Sequence, residues 1–169
     1  MKNNGYRLII LLLITIGWLI LMRKMTAPLD LGIIITFEFI GSADKAMEFL
    51  SRLKDLGHLD LLTRSIFLDF IFSLLYGATF YYASLWVCSK LPQKHRLNRF
   101  QLLSSLIVVA VFSDLIENVS LLKLIYYPPA DMYAYSAFFF AGLKFLFLTI
   151  VVLHFISSII IVFTGKKSS

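Results

Sequence analysis

The chain has 169 residues, of which 59% are hydrophobic and only 15% are charged, and its mean hydropathy is +0.84. Soluble chains are usually about half apolar and about one-quarter charged, so a soluble domain of this length would leave too much apolar surface in water. The composition therefore predicts an integral membrane protein. The net charge is +6, and the single cysteine, Cys88, excludes an intramolecular disulfide and a cysteine-rich metal site.

The first apolar run predicts a membrane span over residues 8–25. It is short for the ~30 Å hydrocarbon core, but Arg7, Arg23 and Lys24 can extend it by placing their charges at the two interfaces. A charged start followed by an apolar run is also typical of a signal peptide. We interpret the run as an uncleaved anchor, with a cleaved signal peptide as the alternative.

Residues 26–64 form the only sizeable predicted extramembrane segment. Residues 31–40 are β-branched and aromatic, a composition that favours an extended, strand-like conformation. Residues 43–56 carry Met47, Leu50 and Leu53 at helical spacing, which predicts an amphipathic helix. We expect this helix to close one end of the bundle, with the docking of a partner as the alternative.

Three further apolar runs predict spans over residues 65–88, 101–126 and 137–163. The fold class is therefore all-α, a polytopic membrane protein with a four-helix transmembrane bundle and one extramembrane amphipathic helix. The whole chain forms a single membrane domain. Within the second span, Ser73 and Gly77 stand four residues apart, a small-residue pattern that permits close approach of a neighbouring helix.

The distribution of Lys and Arg predicts the orientation. The loop between the second and third spans is basic, the turn at residues 127–132 has no Lys or Arg, and the tail contains Lys166 and Lys167. Basic segments normally stay in the cytoplasm. Both termini are therefore expected inside, with residues 26–64 outside. The basic loop adjoins a span, so we interpret it as a topology signal and predict no nucleic-acid partner.

Polar side chains inside the predicted spans mark the candidate site. Asp114, Glu117 and Asn118 share one helical face in the third span because they stand at i, i+3 and i+4. Asp69 and Tyr76 of the second span and Lys144 of the fourth lie at compatible depths. A lysine at this depth needs a nearby carboxylate, and Glu117 is the expected partner of Lys144. Buried ionisable groups in a membrane point to function by default.

The charges of this predicted cluster do not balance. Three carboxylates face one lysine, so either a carboxyl is protonated or a cation or cationic ligand completes the site. Polar residues also hold transmembrane helices together, which leaves a purely structural ion-pair network as the alternative. The three histidines have no metal-ligand spacing, and we predict neither a metal site nor a cofactor.

The chain resembles a bacterial family of small four-span membrane proteins over residues 36–150. The residues that carry the resemblance are Phe37-Glu38, Lys45-Ala46, Leu68-Asp69-Phe70, Tyr76-Gly77, Asp114 with Glu117-Asn118, and Leu143-Lys144-Phe145. The resemblance implies a bacterial cytoplasmic (inner) membrane protein and supports the choice of site residues. In architecture alone, the layout is also similar to the emopamil-binding, sterol-isomerase group, whose bundles hold acids around a lipid-derived cation.

Three functions are consistent with these features. The first is the binding or movement of a small cation, a proton or an amphipathic ligand at an acidic site in the outer half of the bundle. The second is a membrane-embedded, isomerase-like enzyme that acts on a lipid or isoprenoid. The third is a structural or assembly subunit that docks another membrane protein. The expected partners are thus the lipid bilayer, a lipid-like or cationic ligand, or another membrane protein.

Overall fold

The computed structural model describes residues 2–93 and 95–164, and all regular structure in these residues is helical. The helices are α1 (Lys2–Thr26), α2 (Leu31–Glu38), α3 (Ala43–Asp55), α4 (Leu59–Cys88), α5 (Phe100–Tyr126) and α6 (Asp131–Thr164). Of these, α1, α4, α5 and α6 are long and apolar enough to cross a membrane. The predicted fold class is therefore confirmed, although α4 and α6 each begin about six residues earlier than predicted, a difference of about 9 Å at ~1.5 Å per residue.

The four long helices pack in the order α1, α4, α5, α6, with α1 against α4 and α6 mainly against α5. We call the end of the bundle that carries the two short helices the α2–α3 end, and the opposite end the α4–α5 loop end. Hydrogen bonds attach α1 to α4, because Thr15 Oγ1 lies 2.8 Å from Thr79 Oγ1 and Trp18 Nε1 donates to the Leu68 carbonyl at 3.2 Å.

The predicted close approach at Gly77 is confirmed between α4 and α5. A Cβ atom added to Gly77 would lie 2.5 Å from Cγ2 of Val111. That distance is shorter than any normal van der Waals contact, so glycine is what allows the two helices to pack this closely.

The extended conformation predicted for residues 31–40 is wrong, because residues 31–38 form helix α2. Asp30 caps this helix, and its side chain accepts a hydrogen bond from the Gly32 amide at 3.4 Å. The β-branched composition misled the prediction because strand preference mostly reflects packing in a sheet. The described residues offer no neighbouring strand, and a helix satisfies its own backbone hydrogen bonds.

Helix α3 closes the α2–α3 end, as expected. It is held at its start by Asp131 of α6, whose Oδ1 accepts a hydrogen bond from the Ala43 amide at 2.8 Å. Its predicted apolar stripe is only partly correct. Leu53 is buried and Leu50 is half-buried, whereas Met47 is 49% exposed, because it lies to one side of the line that faces the bundle.

Two apolar clusters seal the two ends of the bundle. The first, at the α2–α3 end, consists of Leu29, Phe37, Ala46, Leu53, Leu62, Ile66, Leu121, Leu124, Ala134 and Ala137. The second, toward the α4–α5 loop end, consists of Val87, Cys88, Leu103, Ile107 and Val151. The polar residues of the candidate site lie between these two clusters.

Candidate functional site

Lys144 of α6 forms the centre of the polar cluster. Its Nζ lies 2.8 Å from Glu117 Oε2, 3.0 Å from Glu117 Oε1 and 3.0 Å from Asp114 Oδ1. The lysine is 6% exposed, and both carboxylates are still more deeply buried. The predicted contact between Lys144 and Glu117 is confirmed, and Asp114 shares the same ammonium.

Helix α4 completes the coordination of Asp114. Ser73 Oγ donates to Asp114 Oδ2 at 2.7 Å, and the Tyr76 hydroxyl donates to the same oxygen at 2.8 Å. Together with Lys144, three side chains from two helices therefore hold this one carboxylate. Such charge-assisted contacts fix the position of Asp114 and connect α4, α5 and α6 at one depth.

Asp69 and Asn118 form a second pair beside this group. Asn118 Nδ2 donates to Asp69 Oδ2 at 2.9 Å, which connects α5 to α4. Asn118 is buried, whereas Asp69 is only half-buried and lines a cavity. The structure thus brings all six predicted residues together: Asp69, Tyr76, Asp114, Glu117, Asn118 and Lys144.

Glu38, at the end of α2, is the acidic residue of the site that the sequence analysis missed, as it also missed Ser73. It is 8% exposed, and its Oε2 lies 3.8 Å from Lys144 Nζ. This oxygen has no hydrogen-bond partner among the residues that the structure describes. Burial raises the pKa of Glu38 above its ordinary value, and the Lys144 ammonium opposes that rise. The sequence signal that could have identified Glu38 is its position as an acid within the otherwise apolar segment 31–40.

The cluster therefore contains more acid than the sequence analysis counted. It has four carboxyl groups and a single ammonium: Glu38, Asp114 and Glu117 each have an oxygen within 3.8 Å of Lys144 Nζ, and Asp69 lies beside them, bonded to Asn118. If all were ionised, the site would carry three uncompensated negative charges in a low-dielectric environment, which is strongly unfavourable. Protons or a bound cation can remove this imbalance.

A cavity of about 300 Å³ adjoins the acids. Its volume is at the lower end of the ~300–1,000 Å³ range of small-molecule sites. The polar part of its wall consists of Glu38, Ser65, Asp69, Tyr76, Asp114, Asn118 and Lys144. The apolar part consists of Leu19, Met22, Leu31, Ile34, Ile35, Ile66, Phe72, Phe80, Leu121, Phe145 and Leu148. The cavity can thus accommodate a molecule with a charged or polar group at one side and an apolar body.

Two other ionisable side chains of the long helices lie outside this site. His154 faces the α4–α5 loop end, where its Nε2 lies 2.8 Å from the Leu97 carbonyl oxygen. Lys123 lies near the α2–α3 end, with its Nζ 5.3 Å from the centre of the Tyr127 ring. In residues 2–93 and 95–164, no group of three or more His, Cys, Asp or Glu side chains is arranged to hold a metal ion.

The fold and the site together define a small polytopic helical protein with a buried acidic cluster beside an apolar cavity. No protein-family model matches the chain, and neither a curated protein nor a solved structure is significantly similar to it.

Proposed function

We propose that this chain is a bacterial cytoplasmic-membrane protein that binds an amphipathic ligand with a cationic head group. The head group would occupy the acidic side of the cavity, and the apolar body would lie along the hydrophobic wall. This is the binding function that the sequence analysis placed first, with the amphipathic cation chosen over a bare ion or a proton.

The excess of buried carboxyl groups is the observation that carries this proposal. Glu117 and Asp114 hold Lys144 at 2.8–3.0 Å, whereas Glu38 lies 3.8 Å from it, and Asp69 forms no ion pair with any described residue. Both Glu38 and Asp69 line the cavity. A ligand ammonium placed there would supply the missing positive charge, and each charge-assisted hydrogen bond would contribute roughly 1.5–3 kcal/mol.

The apolar wall selects an amphipathic cation over a hydrated metal ion. Small hard cations are bound by six or more oxygen ligands, counting waters, which requires a polar, wet cavity. Phe72, Phe80 and Phe145 instead line this one. Aromatic faces attract organic ammonium groups and tolerate hydrocarbon chains.

The orientation within the membrane is part of the proposal. The basic loop at residues 89–99 and the basic tail favour a cytoplasmic position for the α4–α5 loop end. The acidic cluster would then lie in the outer half of the bundle. In a Cys88→Ser background, a cysteine introduced at Ala130 should be labelled from outside intact cells, and one at Gln93 should not. The reverse labelling pattern would refute this orientation.

The binding proposal is tested with two probes that share one tail. Dodecylamine and dodecanol differ in charge at neutral pH, so purified protein in lipid nanodiscs should retain the amine and bind the alcohol much more weakly. Asp69→Asn should weaken amine binding by about tenfold, equivalent to ~1.4 kcal/mol, because one acceptor charge is lost. Equal retention of the two probes would refute a role for the carboxylates in binding.

A membrane-embedded enzyme that acts on a lipid or isoprenoid is the second candidate. The observation that favours it is Glu38, whose buried Oε2 has no hydrogen-bond partner among the described residues. Burial also raises the pKa of this carboxyl. A protonated carboxyl beside an apolar cavity can act as a general acid. Mass spectrometry of lipids incubated with wild-type and Glu38→Gln protein distinguishes the two: a product formed only by the wild type would favour the enzyme.

A further inference from the structure

We infer that the ligand is a bilayer-resident, single-chain amine that reaches the cavity sideways from the membrane, between α1 and α6. This inference rests on the proposed function, because it specifies the ligand class and the path of access for the same site. It depends on three observations: which lining residues are exposed, where they lie along the helices, and what closes the ends of the bundle.

The most exposed residues of the cavity wall are all apolar. Of the 18 described residues that line the cavity, only Leu19, Leu31, Ile35 and Phe145 are exposed, and their exposed fractions range from 43% to 54%. We call these four residues the mouth. A mouth that served water-soluble cations would present polar groups to water. An apolar mouth instead matches the hydrocarbon chains of lipids.

The position of the wall along the helices places this opening at the depth of the hydrocarbon. Leu19 lies seven residues before the end of α1, which is about 10 Å along the helix axis. Leu148, on the other side of the cavity, lies near the midpoint of α6. Helix α1 packs against α4, whereas α6 packs mainly against α5. The space between α1 and α6 therefore opens to the side of the bundle.

In the part of the chain that the structure describes, neither end of the bundle offers a comparable path. Phe37, Leu53 and Leu62 belong to the buried cluster that seals the α2–α3 end. The second apolar cluster seals the α4–α5 loop side, and Phe80 of the cavity wall packs against it. Access from water would require one of these clusters to separate, whereas access from the bilayer requires movement only of exposed side chains at the mouth.

This geometry also constrains the ligand. The acids lie on the inner side of the cavity and the mouth faces lipid, so the head group must enter first and the tail must remain near the hydrocarbon. A tail that passes from bilayer to apolar cavity gains little hydrophobic free energy, because lipid is already apolar. Selectivity therefore depends on the amine, and the small volume of about 300 Å³ favours one chain over two.

The test measures release of radiolabelled dodecylamine from the full chain in nanodiscs after a chase with unlabelled dodecylamine. Leu19→Trp should narrow the mouth and slow release by about fivefold or more, since changes within one binding site act mainly on the dissociation rate. Leu19→Ala should accelerate release. The matched control is Leu12→Trp, because Leu12 is 46% exposed on the same face of α1, two turns away, and does not line the cavity.

The outcomes separate this inference from the proposed function. Slower release from Leu19→Trp, with Leu12→Trp like the wild type, supports access through the mouth. Unchanged release from both Leu19 variants would overturn lateral access and leave the binding function standing if Asp69→Asn still weakens retention. Failure of wild-type protein to retain the amine would overturn both. If Leu19→Trp does not load with amine, Leu19→Ala decides, because a wider mouth must accelerate release.

Discussion

The two halves of this bundle are held together by different interactions. Near the α2–α3 end, Lys144 connects α6 to the carboxylates of α5, and Ser73 and Tyr76 add α4 to the same network. Toward the α4–α5 loop end, the helices meet through Val87, Ile107 and Val151 and through the close approach at Gly77. Charged contacts are directional and depend on every member, whereas apolar contacts are many and individually weak. The two halves should therefore respond differently to substitution.

Lys144→Met should give the largest loss of stability. Removing the ammonium leaves Glu117 and Asp114 buried without their cation, and breaking such a buried pair costs roughly 3–5 kcal/mol. The measurement is the unfolding of the protein in detergent, with Glu117→Gln added to Lys144→Met as the second variant. The double variant should recover part of the loss, because one of the stranded charges is gone. If the loss of stability in the double variant equals the sum of the losses in the two single variants, direct coupling of Lys144 and Glu117 is contradicted.

Gly77→Leu tests the apolar half and should give the next largest loss of stability. The new side chain would meet Val111, whose Cγ2 would lie only 2.5 Å from the added Cβ. Overpacking of this kind typically costs ~1–3 kcal/mol. Gly142→Leu on α6 is the matched control, because a Cβ there meets nothing within 4 Å. Equal melting temperatures for the two variants would show that α4 and α5 are not packed this tightly.

Glu38→Gln sharpens the comparison, because this acid belongs to the polar half but its Oε2 has no hydrogen-bond partner among the described residues. Since burial raises its pKa, the neutral form is favoured, and a neutral isostere should change stability by less than about 1 kcal/mol at low pH. An acid whose pKa is raised in the folded protein contributes stability that is fully present below its unfolded-state pKa, ordinarily 4.5. That stability is lost as the pH rises through the folded-state pKa.

The wild type should therefore lose stability relative to Glu38→Gln as the pH rises above 4.5. Thermal melts of both proteins across that pH range measure the difference, which includes the effect of the Glu38 charge on the neighbouring carboxyl groups. A wild type that gains stability relative to the variant with rising pH would contradict the assigned direction.

The smallest predicted effect concerns the attachment of α1. Thr15→Val removes the hydrogen bond to Thr79, and interhelical hydrogen bonds in membranes average ~0.6 kcal/mol. The melting temperature should fall slightly, and Thr79→Val should add little to the change because it removes the same contact. A loss as large as that of Lys144→Met would mean that α1 is essential to the bundle core.

Most of the site could be predicted because its residues follow a helical period inside apolar runs. Once the third span was recognised as a helix, one face of it had to carry Asp114, Glu117 and Asn118. A lysine at similar depth then had to contact one of the carboxylates on that face. The resemblance to a bacterial four-span family stays a prediction. So does its implication of a bacterial inner membrane.

Glu38 and the cavity were beyond the sequence for separate physical reasons. Glu38 lies in a segment whose β-branched residues indicated a strand, so its approach to Lys144 depended on an unexpected helix. The cavity depends on where α1 and α6 pack relative to each other. That arrangement is determined by contacts such as Thr15 with Thr79, which have no sequence period that would reveal them.

The pairing of Lys144 with two acids of the preceding helix affects how the protein is inserted during synthesis. Lys144 follows Glu117 by 27 residues and Asp114 by 30. At roughly 5–20 residues per second, α5 exists for about 1–6 seconds before its cation has been made. An acid near the middle of a span opposes insertion by ~2.5–3.5 kcal/mol, so α5 alone should insert poorly. Truncation after Tyr126 should therefore lower the inserted fraction of α5 in a translocation assay, the result expected when α5 and α6 enter the bilayer as one hairpin.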